Sequence, residues 1–205
     1  MRVIVSAGGT GGHIFPALAI INKIKEKEPK SEILYIGTTD RMESKLIPEL
    51  GIKYIGVEMK GLNRKNLLKN FEVISSLNKA IKKCKSIIKE FNPDIVLGIG
   101  GYITYPVITA STSLGYKTFI HEQNSIPGLS NKLLKNKATV IGVSLEDSLK
   151  YFGKNTNVIL GLENINIYGN GYIEDKLGEY KFKISPLSFY QVNPVQAEAL
   201  YNYAI

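Results

Sequence analysis

Over residues 1–154, short apolar runs alternate with longer segments of helical periodicity, and no other feature limits the possible folds as strongly. Arg2–Ser6, Glu32–Ile36, Tyr54–Val57, Ile95–Leu97, Lys117–His121 and Ala138–Val143 read as strands bounded by turn residues. Helical patterns fill the intervals: Ile14 to Glu28, Met42 to Leu50, within Leu67–Phe91, Pro106 to Leu114, Leu129 to Lys135 and Glu146 to Phe152. In the longest, Ile74, Leu77, Ile81, Cys84, Ile88 and Phe91 recur at spacings of 3 and 4, which builds one core-facing stripe. Asn92-Pro93 stops it. Such alternation requires right-handed crossovers, hence an α/β fold: a Rossmann-like, doubly wound parallel sheet covered on both faces. Ligands of these sheets sit beyond the carboxyl ends of the strands, which singles out three loops.

The first loop is Ala7-Gly8-Gly9-Thr10-Gly11-Gly12-His13, directly before a helix. Its four glycines let the backbone pass close to a ligand, and the helix N-terminus offers N–H groups and partial positive charge to phosphate. His13 stands where a Walker loop needs Gly-Lys, and the glycine spacing is not that of a dinucleotide fingerprint. A plain strand-to-helix turn seldom needs four glycines, so the loop reads as functional. The second loop is Gly98-Ile99-Gly100-Gly101-Tyr102. Alone it is equally explained by close packing of a helix on a strand; beside the first it suggests a second anion cradle. The third is His121-Glu122-Gln123-Asn124, four polar groups at the end of a buried strand. Both histidines of the chain therefore fall on the ligand rim, which favours catalysis or substrate binding over structural roles.

Composition narrows the setting. The 44% hydrophobic and 21% charged content suits a globular chain with a real core. No apolar run approaches the ~18 residues of a membrane span, and the N-terminus reads as a strand rather than a signal peptide, so a cytoplasmic location is expected. One cysteine, Cys84, excludes an internal disulfide, and with two histidines it makes a zinc site unlikely, so no metal is expected. The net charge of +8 is uneven: residues 1–154 hold 23 Lys+Arg against 13 Asp+Glu, and residues 155–205 hold 3 against 5. Lys60–Lys89 alone carries nine cations and one acid, Glu72. There Leu67, Leu68 and Phe71 stand among Arg64, Lys65 and Lys69, a mixture that suits an anionic membrane surface slightly better than a solvated helix face. No aromatic stacking platform accompanies the charge, so no nucleic acid is expected for 1–154.

Taken together, AGGTGGHIFPALAI, GTTDRME, KGLNRKN, NPDIVLGIGGY, HEQNSIPGLSNK and SLKYF resemble the MurG family, in order and at suitable spacing, over essentially all of 1–154. The resemblance implies the N-terminal half of a two-domain GT-B glycosyltransferase. It implies transfer of GlcNAc from UDP-GlcNAc to lipid I (undecaprenyl-diphospho-MurNAc-pentapeptide), with inversion and without a cofactor. It also implies a peripheral position on the cytoplasmic face of the membrane. By match, His13 is the base, while Thr10, Gly11, Gly12 and Asn124 reach the donor. Gly100, Gly101, Tyr102, His121 and Glu122 line the acceptor side, and the Leu67–Phe71 region is the membrane patch.

After Phe152 the sequence departs from that family: Gly161-Leu162-Glu163-Asn164 is not the expected turn, and nothing later resembles a donor domain. The expectation is a donorless chain without turnover, divided into a domain at 1–154 and a fragment at 155–205. The fragment reads as short β-like segments at Ile165–Tyr168, Tyr172–Glu174 and Tyr180–Ile184, followed by a truncated helix opened by Asn193-Pro194. It resembles a middle segment of the RNA uracil-5-methyltransferase family, carried by SFYQVNP. By match Gln191 contacts S-adenosylmethionine, a cofactor relevant only to a complete methyltransferase. A methyltransferase-related RNA protein and a non-catalytic module binding membrane or lipid I are the alternative readings.

Overall fold

The computed structural model describes residues 1–59, 70–153, 157–160, 173–177 and 180–184, with side chains for 1–59, 75–153 and 157–160. The chain divides into two compact units, Met1–Leu162 and Glu163–Ile205.

The first unit is built on seven parallel strands: β1 Arg2–Ala7, β2 Glu32–Thr38, β3 Lys53–Val57, β4 Ile95–Gly100, β5 Thr118–Glu122, β6 Val140–Val143 and β7 Val158–Leu160. Their order is β3-β2-β1-β4-β5-β6-β7. Between them run α1 Gly11–Lys27, α2 Glu43–Glu49, α3 Asn70–Phe91, α4 Thr104–Ser113 and α5 Leu129–Leu134, with a 3-10 helix at Glu146–Tyr151. The doubly wound α/β sheet expected from the alternation is thus the fold observed. The sheet runs past the compositional break at 154, because β7 pairs with β6 through Ile141↔Val158 to Val143↔Leu160.

Strand periodicity explains the two cores. Successive side chains of β1 point to opposite faces. Val3, Val5 and Ala7 therefore pack with Ile14, Ala17 and Ile21 of α1 and Ile47 of α2. Ile4 goes to the other face, against Ala80, Cys84 and Ile88 of α3 and Val107 and Ile108 of α4. Each fully buried isoleucine contributes roughly 1.5–3 kcal/mol. The α3 stripe packs as its spacing predicts at Cys84, Ile88 and Phe91, with Ile81 partly buried; the side chain of Ile74 lies outside the described residues.

Helix starts differ from the sequence reading in an informative way. α1 begins at Gly11 rather than Ile14, and α4 at Thr104 rather than Pro106. Apolar periodicity marks only the core-facing positions, so it misses a first turn made of glycine or polar residues. The expected last helix is a 3-10 helix ending at Tyr151.

In the second unit, β8 Ile173–Leu177 and β9 Tyr180–Ile184 form an antiparallel hairpin, in register from Ile173↔Ile184 to Leu177↔Tyr180. The expected strand at 165–168 and the expected helix after Asn193-Pro194 lie outside the described residues.

Candidate functional site

From β1 the chain adds β2 and β3 on one side, then crosses back through α3 to add β4 to β7 on the other, so the sheet has its topological switch point between β1 and β4. In open parallel sheets the ligand crevice forms there. The two glycine loops leave the sheet side by side at this point, and the backbone N–H of Gly8 donates to the Gly100 carbonyl at 3.2 Å.

Packing dictates the glycines. Gly101 has φ +85°, and a Cβ on it would lie 2.2 Å from the Gly8 carbonyl oxygen. Gly100 has φ +123°, and a Cβ there would lie 2.4 Å from His13 Nδ1. Both are left-handed positions that favour glycine. Close packing and a ligand rim are therefore one arrangement here: the glycines bring the second loop against the first and against the His13 ring. Thr104, fully buried in α4, fixes the second loop by placing its hydroxyl 2.8 Å from the Gly100 carbonyl and accepting the Gly100 N–H at 3.2 Å.

Gly11, Gly12 and His13 form the first turn of α1. Thr10 stands at its N-cap without turning its side chain back onto the helix, and the first turn holds no acid. The His13 N–H turns back to the Thr10 carbonyl at 3.1 Å, while those of Gly11 and Gly12 have no partner within the helix, which makes the turn suited to an anion. Beneath it lies Glu43 of α2, a fully buried carboxylate. It accepts from Gly9 N at 3.1 Å, Thr38 N at 3.1 Å and the Thr38 hydroxyl at 2.8 Å. The Tyr102 phenol is the group that acts most strongly on the exposed Arg41 guanidinium and raises its pKa, so a cation stands beside the second loop. GTTDRME carries Arg41 and Glu43, and its sequence pattern alone gives neither a role.

The third loop separates into two directions. Glu122, 1% exposed, turns inward and does not face the rim. One of its oxygens accepts from Asn124 N at 3.0 Å and Asn124 Nδ2 at 2.9 Å, the other from Gly128 N at 3.0 Å and Asn131 Nδ2 at 2.9 Å. Asn124 is exposed and held by that carboxylate. His121 Nε2 lies 3.1 Å from the Ser144 hydroxyl at the end of β6. Burial lowers the His121 pKa below its ordinary value, with Glu122 opposing the shift.

Gln123 reaches across to α1. Its amide nitrogen donates to the Gly12 carbonyl at 2.9 Å and lies 2.7 Å from His13 Nδ1. The Ile99 carbonyl lies near enough to the His13 ring to favour its protonated form. Burial lowers the His13 pKa; the Glu122 charge and the Ile99 contact oppose it. His13, Gly12, Gly100 and Gln123 thus meet at one place, with Thr10 exposed at its edge. Arg64, Lys65, Leu67, Leu68 and Lys69 lie outside the described residues, as do Gln191 and the side chain of Phe71. Among the described residues no cluster of three or more His, Cys, Asp or Glu side chains is arranged to hold a metal ion. Among them, too, no helix is long and apolar enough to cross a membrane.

A parallel sheet with a glycine-lined switch point and a helix N-terminus facing it defines a Rossmann-like ligand-binding domain. Residues 3–143 match the glycosyltransferase family 28 N-terminal domain, and the chain belongs to that family. It is 50% identical over 164 residues to an Alkaliphilus oremlandii enzyme named UDP-N-acetylglucosamine--N-acetylmuramyl-(pentapeptide) pyrophosphoryl-undecaprenol N-acetylglucosamine transferase. That match covers 78% of this chain and 44% of the enzyme. A Pediococcus pentosaceus protein of the same name is 43% identical over 161 residues, with the same coverage. Among solved structures, MurG of Acinetobacter baumannii superimposes with a TM-score of 0.67 at 28% identity, over 78% of this chain and 45% of that one. The UDP-GlcNAc 2-epimerase of Methanocaldococcus jannaschii shares the fold at a TM-score of 0.55 and 13% identity, over 78% and 45% of the two chains. The chain therefore spans less than half the length of the relatives it matches.

Proposed function

We propose that the Met1–Leu162 unit is the acceptor-side half of an inverting glycosyltransferase that moves GlcNAc from UDP-GlcNAc to lipid I. The observation that carries this reading is the convergence of both glycine loops and His13 at the switch point of a family 28 domain. In the proposed reaction His13 takes the proton of the acceptor hydroxyl. The freed oxygen forms a bond to the anomeric carbon of GlcNAc, the bond from that carbon to the diphosphate oxygen breaks, and UDP departs with the electron pair. Burial suits His13 to the task, because it keeps the imidazole neutral and able to accept a proton.

The α1 N-terminus and the second glycine loop supply N–H groups for a diphosphate, and Arg41 with Tyr102 adds a cation on the same rim. Thr10, Gly11, Gly12 and Asn124 face the donor in this reading, and Gly100, Gly101, Tyr102 and His121 the acceptor. Glu122 serves by holding Asn124 rather than by touching substrate. No cofactor enters the reaction. A position on the cytoplasmic membrane face, with 64–71 as the contact patch, completes the proposal.

The test is saturable binding of a short-chain lipid I analogue by the intact chain, followed by calorimetry. Binding that is weakened at least tenfold by Arg41→Ala supports an acceptor diphosphate on this rim. A folded wild-type chain that does not bind the analogue overturns the reading.

A further inference from the structure

One backbone group in α1 lacks the partner that a helix normally provides. Residue 16 is proline, inside α1, and proline has no N–H. In an α-helix that N–H would bond to the carbonyl four residues earlier, which is Gly12. The vacancy is filled from outside the helix, by the side-chain amide of Gln123 at 2.9 Å.

This decides the orientation of the amide. A carbonyl oxygen only accepts, so the Gln123 atom facing Gly12 is its NH2 group. The same nitrogen lies 2.7 Å from His13 Nδ1. An NH2 group has two hydrogens, one for Gly12 and one for the ring. His13 Nδ1 must then present a lone pair, and the ring proton of the neutral imidazole sits on Nε2.

We infer that Gln123 is a positioning residue that fixes the His13 tautomer, making Nδ1 the proton-accepting nitrogen and covering it until an acceptor hydroxyl takes the place of the amide. The inference rests on His13 being the base of the proposed transfer. Pro16 is the reason the device holds: with an N–H at residue 16, Gly12 would be satisfied within the helix and the amide free to turn over. The ionised group acting on the ring is Glu122, whose charge favours protonation. The Gln123 amide acts the other way, since an imidazolium would set an N–H against an N–H.

Long-range 1H–15N correlation spectra of the intact, 15N-labelled chain read this directly, because they distinguish the two neutral tautomers of each histidine. The expected result is the Nε2–H form for His13 in the wild type, a mixture in Gln123→Ala, and the Nδ1–H or doubly protonated form in Gln123→Glu. Unchanged His121 signals and an unchanged thermal melt show that both variants keep the fold. An Nδ1–H form in the wild type, or a His13 pattern indifferent to both substitutions in folded protein, overturns the inference. No sugar transfer is needed for this measurement. A tautomer result as expected beside a chain that binds no acceptor leaves the tautomer assignment standing and sinks the transferase reading with the base role that rests on it, and the converse sinks only the role of Gln123.

Discussion

Gly101 and Gly8 meet backbone to backbone where β4 and β1 leave the sheet, close enough that a Cβ on Gly101 would fall 2.2 Å from the Gly8 carbonyl oxygen. Backbone cannot yield as a flexible side chain does, and φ at Gly101 is +85° as well. The left-handed conformation alone costs an alanine about 1–2 kcal/mol. Gly101→Ala is therefore expected to lower stability by at least about 2 kcal/mol, once the clash is added. Urea denaturation monitored by circular dichroism measures it. A loss under about 0.5 kcal/mol, the range of ordinary surface substitutions, would show that the two loops are not packed as described.

Glu43 makes a separate prediction about the first loop. Three donors converge on its carboxylate in a site closed to solvent: Gly9 N, Thr38 N and the Thr38 hydroxyl. Removing a buried acceptor leaves each donor with a desolvation cost of roughly 1–3 kcal/mol, partly relieved by water. Glu43→Ala is expected to cost about 3 kcal/mol, and Glu43→Gln less, since the amide keeps one accepting oxygen. Hydrogen exchange adds a local readout. The Gly9 and Thr38 amides should lose protection in both variants, and retained protection would contradict the assigned contacts.

The alternation of strand and helix was enough to specify the parallel sheet, and the carboxyl-end rule selected loops that the structure brings together at the switch point. The roles within those loops were harder to read. In HEQN the sequence shows four polar groups at a strand end but not which way each points. Strand alternation sends Glu122 inward, while His121 and Gln123 take the other side, and a strict count of that period would have separated them. The link from Gln123 to Gly12 depends on a proline 107 residues earlier in the chain, and no local pattern announces a contact at that range. Glu43 was equally hidden, since a glutamate in the first turn of a helix ordinarily faces water.

The thiol of Cys84 tests the packing of α3. It is fully buried among apolar side chains, and burial pushes its pKa up to about 12. Alkylation proceeds through the thiolate, so both exposure and ionisation oppose reaction in the folded chain. Iodoacetamide at about pH 8 should modify Cys84 orders of magnitude more slowly in buffer than in denaturing urea, where the thiol returns to its ordinary value near ~8.5. Comparable rates in the two solvents, followed by mass spectrometry, would mean that α3 does not cover the sheet as described.

The two histidines fix how stability should respond to acid. Both have their pKa lowered in the folded chain, by burial first and against the pull of Glu122. In the unfolded chain the same imidazoles titrate near the ordinary value of ~6.5. Below that value the unfolded state binds protons that the folded state resists, so falling pH favours unfolding. The stabilisation is complete above ~6.5 and is lost as pH drops through the folded values. Urea midpoints should accordingly hold steady between about pH 8 and 7 and decline from about 6.5 towards 5.5, before most carboxylates titrate. Replacing His13 and His121 together by glutamine removes both proton-binding groups and should flatten the decline over that interval. A decline of the same size in the double variant would place its origin in other groups and contradict the buried, neutral state assigned to the two rings.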